Sequence, residues 1–60
     1  MSIHNYDKNP VVTVRIQNVA PYWNGKFGIL NRWIHDDWYV VVCEGRELLL
    51  NMSKNEFIRV

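Results

Sequence analysis

The amino-acid sequence predicts an all-β domain, folded as a small, strongly bent barrel of five strands. Three observations carry this. β-Branched and aromatic residues recur in short runs bounded by turn residues. Where the runs are clearest, apolar residues alternate with polar ones at period two. No segment sustains helical periodicity over ten residues. Closing five short strands into a barrel would also remove the free edges that a flat sheet exposes.

The elements follow in order. Residues 1–10, "MSIHNYDKNP", are polar and end in Asn9-Pro10; they read as a flexible arm ordered by a partner, ahead of a barrel over residues 11–60. "VVTVRI" (Val11–Ile16) is the first strand, with Val12, Val14 and Ile16 on one face and Thr13 and Arg15 on the other. "FGILNRWI" (Phe27–Ile34) is the second and "DWYVVVCE" (Asp37–Glu44) the third. "RELLLNM" (Arg46–Met52) is the fourth, placing Leu48, Leu50 and Met52 together opposite Glu47, Leu49 and Asn51. "FIRV" (Phe57–Val60) closes the chain as a short fifth strand.

The connections fit these strands. "HDD" (His35–Asp37) and "EGR" around Gly45 are hairpin turns. "SKNE" (Ser53–Glu56) has the form of a capping box, which in so short a gap predicts a one-turn 3₁₀ helix before the last strand. Trp33 and Trp38 flank the first hairpin turn and are expected to pair across it.

Sixty residues make one small domain, and the initiator Met1 leads to the expectation of a whole small protein. The single cysteine, Cys43, excludes an internal disulfide and multi-cysteine zinc patterns. Its strand setting reads as a half-buried structural thiol, suited to a reducing compartment. No apolar run approaches the roughly 18 residues of a membrane span. The N-terminus lacks the basic-then-apolar order of a signal peptide, so a cytoplasmic location is expected. "NMS" (Asn51–Ser53) matches the glycosylation pattern only formally.

Eight aromatics, three of them tryptophan, exceed what so small a core can enclose, and the surplus should mark a contact surface. "PYWNGKFG" (Pro21–Gly28) concentrates them. In this loop Asn24-Gly25 and Gly28 serve backbone geometry, Pro21 stiffens the chain and Phe27 is expected to turn into the core. Tyr22 and Trp23 are adjacent, and neighbours on an extended strand face opposite ways, so at least one should meet solvent, beside Lys26.

Across residues 11–60 the chain resembles the SH3-like barrel group: a first strand, an aromatic loop, "GKFGIL", two hairpins, then "NEFIRV" at the place of the 3₁₀ turn and closing strand. "PYWNGKFGIL" is similar to the KOW motif of ribosomal proteins and elongation factors, in which a glycine pair, here Gly25 and Gly28, frames a loop next to nucleic acid. "VRI", "YW", "WYVVV" and the last strand resemble the small E subunit of photosystem I, which docks on a larger assembly. The chain lacks the dense basic loop of ribosomal KOW proteins and differs in the loops through which the photosystem subunit docks. Pro-rich ligands, as for signalling SH3 domains, are disfavoured because the acidic-loop features are missing.

The net charge is +1, but its signs are unevenly spread. Lys8, Arg15, Lys26 and Arg32 precede His35 without an acid between them, while Asp36, Asp37, Glu44, Glu47 and Glu56 follow it. A mild basic patch could receive nucleic acid or an acidic protein; a pI near 8 argues against tight non-specific phosphate binding. His35, Asp36 and Asp37 are consecutive and cannot readily converge on one metal ion. No nucleophile–base–orienter set and no phosphate loop is visible, so no catalytic residue, metal or cofactor is expected.

The sequence therefore points to a non-catalytic protein-binding module, a small docking subunit or a stoichiometric inhibitor. Tyr22, Trp23 and Lys26 would form its contact, with Trp38 and Tyr39 as further candidates. The alternative is KOW-like RNA binding, with Arg15, Lys26 and Arg32 on phosphates and Trp23 stacked on a base. A third reading is self-association through a strand edge or an aromatic patch.

Overall fold

Runs of Val, Ile and aromatic residues build the expected five strands. The computed structural model of the chain describes residues 11–60, and the arm expected over residues 1–10 lies outside the described residues. The strands are β1 (Thr13–Ile16), β2 (Phe27–His35), β3 (Trp38–Cys43), β4 (Arg46–Asn51) and β5 (Phe57–Arg59). They form one antiparallel sheet in the order β4-β3-β2-β1-β5. Successive strands pair from β1 to β4, and β5 returns to the free side of β1, with Arg15 opposite Ile58.

The sheet is open. No pairing joins β4 to β5, so the closed barrel expected from the strand count is not formed by the backbone ladder. Bending comes from β2, whose register against β3 shifts between Leu30 and Arg32 and again between Trp33 and His35. Such bulges insert an extra residue and increase the local twist.

The inner face of the sheet carries the core. Val14, Ile16, Val41, Cys43, Leu50 and Phe57 are buried there, with Val12, Trp23, Leu30, Tyr39 and Leu48 packed around them. The alternation read for the first strand holds. Gly28 lies opposite Val14 inside this layer. A Cβ at Gly28 would stand 2.8 Å from both Val41 Cγ1 and the Val42 carbonyl oxygen, so close approach of β3 requires the glycine.

Phe27 is the main departure from expectation. It is 61% exposed, not part of the core. The reason is parity: Gly28 and Leu30 point inward, so Phe27 and Ile29 point outward.

The turns explain themselves locally. Glu44 and Gly45 both have positive φ, at 54° and 75°, as a two-residue hairpin with the right twist demands. Asp36 does the same in the β2–β3 turn, at φ 50°. Trp33 and Trp38 do not pair across it: Trp33 stands opposite Tyr39, and Trp38 opposite His35, because the second bulge puts them out of step. The Trp33 indole instead donates to the Asp36 carbonyl at 2.8 Å.

Between β4 and β5 the expected one-turn helix is a single hydrogen-bonded turn. The Asn55 amide donates to the Met52 carbonyl at 3.0 Å, and Asn55 itself, at φ 57°, ends the turn at once. Its cap is Asn51 rather than Ser53. The Asn51 side-chain oxygen accepts from the Lys54 amide at 3.1 Å, and Glu56 accepts from the Asn51 amide at 2.8 Å. Asn51 is therefore buried, and Met52, expected to share a strand face with Leu48 and Leu50, lies exposed in the turn. Ser53 donates instead to Asp37, whose carbonyl also accepts from the Met52 amide at 2.8 Å.

Candidate functional site

The loop between β1 and β2 folds on itself. Pro21 opens a tight turn in which the Trp23 and Asn24 amides both donate to the Ala20 carbonyl, at 3.0 and 2.9 Å. The Asn24 side-chain oxygen accepts in return from the Val19 and Ala20 amides, at 2.9 and 3.2 Å. Gly25, at φ 91°, then donates to Ile16 at 2.7 Å and brings the chain back to the sheet. The loop is thus fixed by its own backbone and by Asn24.

This frame separates the two adjacent aromatics. Trp23 is half-buried against the core, while Tyr22 is 61% exposed. Their rings meet edge to face, with centroids 4.8 Å apart and planes at 88°.

Glu44, from the β3–β4 hairpin, completes the cluster. Its Oε1 accepts from the Tyr22 hydroxyl at 2.7 Å and its Oε2 pairs with Lys26 Nζ at 3.1 Å. The same ammonium lies 4.6 Å from the centre of the Tyr22 ring. One carboxylate therefore holds both the phenol and the cation, and each of those touches the other. The hydrogen bond from Tyr22 and then that from Lys26 hold the Glu44 carboxyl below its ordinary range. Its bond to Glu44 raises the Tyr22 phenol, and the same carboxylate raises Lys26.

The remaining candidates lie elsewhere. Trp38 and Glu44 bracket β3, about 20 Å apart at 3.3 Å per residue. Trp38 is half-buried, with Lys54 Nζ 5.5 Å from its ring centre. Tyr39 belongs to the inner layer, its ring edge-on to Phe57 at 5.6 Å, so it serves packing more than contact. Arg15 is exposed on the outer face between Phe27 and Ile58. Arg32 is exposed after the first bulge and donates to the neighbouring Asn31 side chain at 3.0 Å. The candidate cations are therefore dispersed, and Lys26 is already paired.

Two members of the surface escape sequence reasoning. Glu44 reads only as a turn residue, because its partners are about 20 positions away. Phe27 is exposed, which its parity with Gly28 could have shown. Cys43, expected half-buried, is buried in the core; its thiol contacts the Phe27 carbonyl at 3.4 Å, and burial, followed by Glu44, pushes its pKa up.

Among the described residues there is no detectable pocket, and no group of three His, Cys, Asp or Glu side chains gathers as a metal site would. No helix among them is long and apolar enough to cross a membrane. Compared with protein-family models, curated proteins and solved structures, the chain matches none.

Proposed function

We propose that this chain is a non-catalytic protein-binding module, a small docking subunit or stoichiometric inhibitor, whose contact centres on Tyr22. The observation that carries this reading is an exposed aromatic ring fixed in advance. Glu44 holds the hydroxyl, Lys26 covers one side of the ring and Trp23 braces it from the core. An anchor already held in one rotamer loses little conformational entropy on binding, which favours it as the centre of an interface. Lys26 and Glu44 would supply a polar rim of both signs.

The SH3-like architecture remains part of this reading. The two hairpins, the doubly bulged β2 and the turn that returns β5 to β1 support a barrel-like bend without a closed ladder. KOW-like RNA binding is the less favoured function. It needs free cations near a stacking aromatic, whereas Lys26 is paired, Arg15 lies on the outer face, and Trp23 is packed against the core.

The test is capture of partners by the immobilised wild-type protein and by Tyr22→Ala, each with and without nuclease. The reading expects a protein retained by the wild type, lost with Tyr22→Ala and indifferent to nuclease. Release by nuclease would favour the RNA reading, and equal retention by both proteins would remove Tyr22 from the interface.

A further inference from the structure

We infer that the outer face of the sheet is a dimerisation surface, covered by the same face of a second copy of this chain. An antiparallel strand with one solvated face should alternate apolar and polar residues. β3 does not: Val41 and Cys43 point to the core, and Val40 and Val42 point the other way. Its neighbours continue the apolar patch. Ile29 pairs with Val42 and Leu49 with Val40, and Phe27 lies two residues along β2 from Ile29. Leu49 is 57% exposed and Ile29 39%, while Val40 beside Leu49 is already shielded at 6% and Val42 is half-buried.

Charge selects the occupant. One cross-strand row on this face runs Glu47, Val42, Ile29, Thr13, and the next carries Phe27, Arg15, Ile58. The acid sits on β4 and one base on β1, with the apolar pair between them; a second base, Arg32, stands on β2 opposite Val40. Neither Arg15 nor Glu47 has an ion-pair partner among the described residues.

Now place a two-fold axis parallel to the strands, between β2 and β3. The rotation lays β4 over β1 of the second copy and β3 over its β2, at the usual separation of about 10 Å between packed sheets. Ile29 then meets Val42 of the other copy, twice by symmetry. Glu47 meets the second copy's Thr13, with Arg15 one pair further along and within reach of its long side chain. An isologous interface requires a patch complementary to itself, and this one is, in both apolarity and sign. Nucleic acid laid across this face would meet the Glu47 carboxylate on the edge strand and an apolar centre. The patch borders the Tyr22 loop at Phe27 but includes none of Tyr22, Trp23, Lys26 and Glu44, so the inference stands apart from the proposed function.

Sedimentation of the 60-residue chain over a range of concentrations tests it. The mass should rise from 7.2 kDa toward twice that value. Leu49→Glu should hold the protein at monomer mass with its far-UV circular dichroism unchanged. Arg15→Glu and Glu47→Arg should each weaken dimerisation about threefold or more, and the double reversal should restore it. Tyr22→Ala should leave the mass distribution unchanged. A wild-type protein that stays monomeric throughout would overturn the inference. So would a dimer indifferent to Leu49→Glu, or one that the double charge reversal fails to restore.

Discussion

The Tyr22 hydroxyl donates to Glu44 Oε1 at 2.7 Å, joining the β1–β2 loop to the β3–β4 hairpin turn across 22 positions of sequence. This bond fixes the orientation of an exposed ring. Its electrostatic signature is measurable. Glu44 accepts from Tyr22 while charged, so the phenol resists ionisation and its pKa lies above the ordinary value of 10.0. Glu44→Gln should therefore lower the Tyr22 pKa toward 10.0, read by ultraviolet titration against a Tyr22→Phe control. An unchanged titration would mean that the bond does not form in solution.

The same pair predicts the pH response of the loop. The folded pKa of Glu44 is depressed, first by Tyr22 and then by Lys26. Its contribution to stability is present above the unfolded carboxylate value and is lost as pH falls through the depressed folded value. The Tyr22 pKa is raised, so its contribution is present below the unfolded phenol value and lost as pH rises through the raised one. Between those limits the loop should stay fixed. Tyr22 ring and Lys26 resonances followed by NMR should move only outside this window, and movement near neutrality would contradict the arrangement.

Gly28→Ala should destabilise the domain by about 1–3 kcal/mol, because the added methyl would press on Val41 and on the Val42 backbone. Urea denaturation checks this. Gly45→Ala meets nothing within 4 Å but would have to hold a positive φ of 75°, so its loss comes from backbone strain instead.

Asn51→Ala should cost about 1–2 kcal/mol through loss of the cap on Lys54, whereas Ser53→Ala should cost less, since Ser53 caps nothing. Thermal unfolding of the two variants separates them. The reverse order would restore the Ser53 capping box.

Cys43 should react with a thiol reagent only as fast as the domain opens. Its side chain is buried and its pKa raised, so little thiolate is present and less is reachable. Reaction in the native protein as fast as in urea would contradict the packing.

Much of the fold was legible in the sequence, for reasons that particular residues show. Val12, Val14 and Ile16 alternate without interruption, so their inward face is readable. Gly45 marks its hairpin because only a few residue types adopt positive φ readily. What was not legible depends on parity and distance. Two bulges in β2 twice reset which residues share a face, and they separate Trp33 from Trp38. Phe27 reads as inward because it is aromatic, although Gly28 beside it occupies the inner position. The exposed member of Tyr22-Trp23 was foreseeable as one of two, but not which. Glu44 could be placed beside them only once the hairpin was folded back onto the loop.

Tyr22, as proposed, is a fixed anchor for a protein partner. The most direct measurement is the affinity of the captured partner, by calorimetry, for the wild type, Tyr22→Phe and Tyr22→Ala. Tyr22→Ala should weaken binding about tenfold or more, as loss of a central aromatic does. Tyr22→Phe keeps the ring but not the bond to Glu44, and should fall between the two. Equal affinities for all three proteins would contradict the claim.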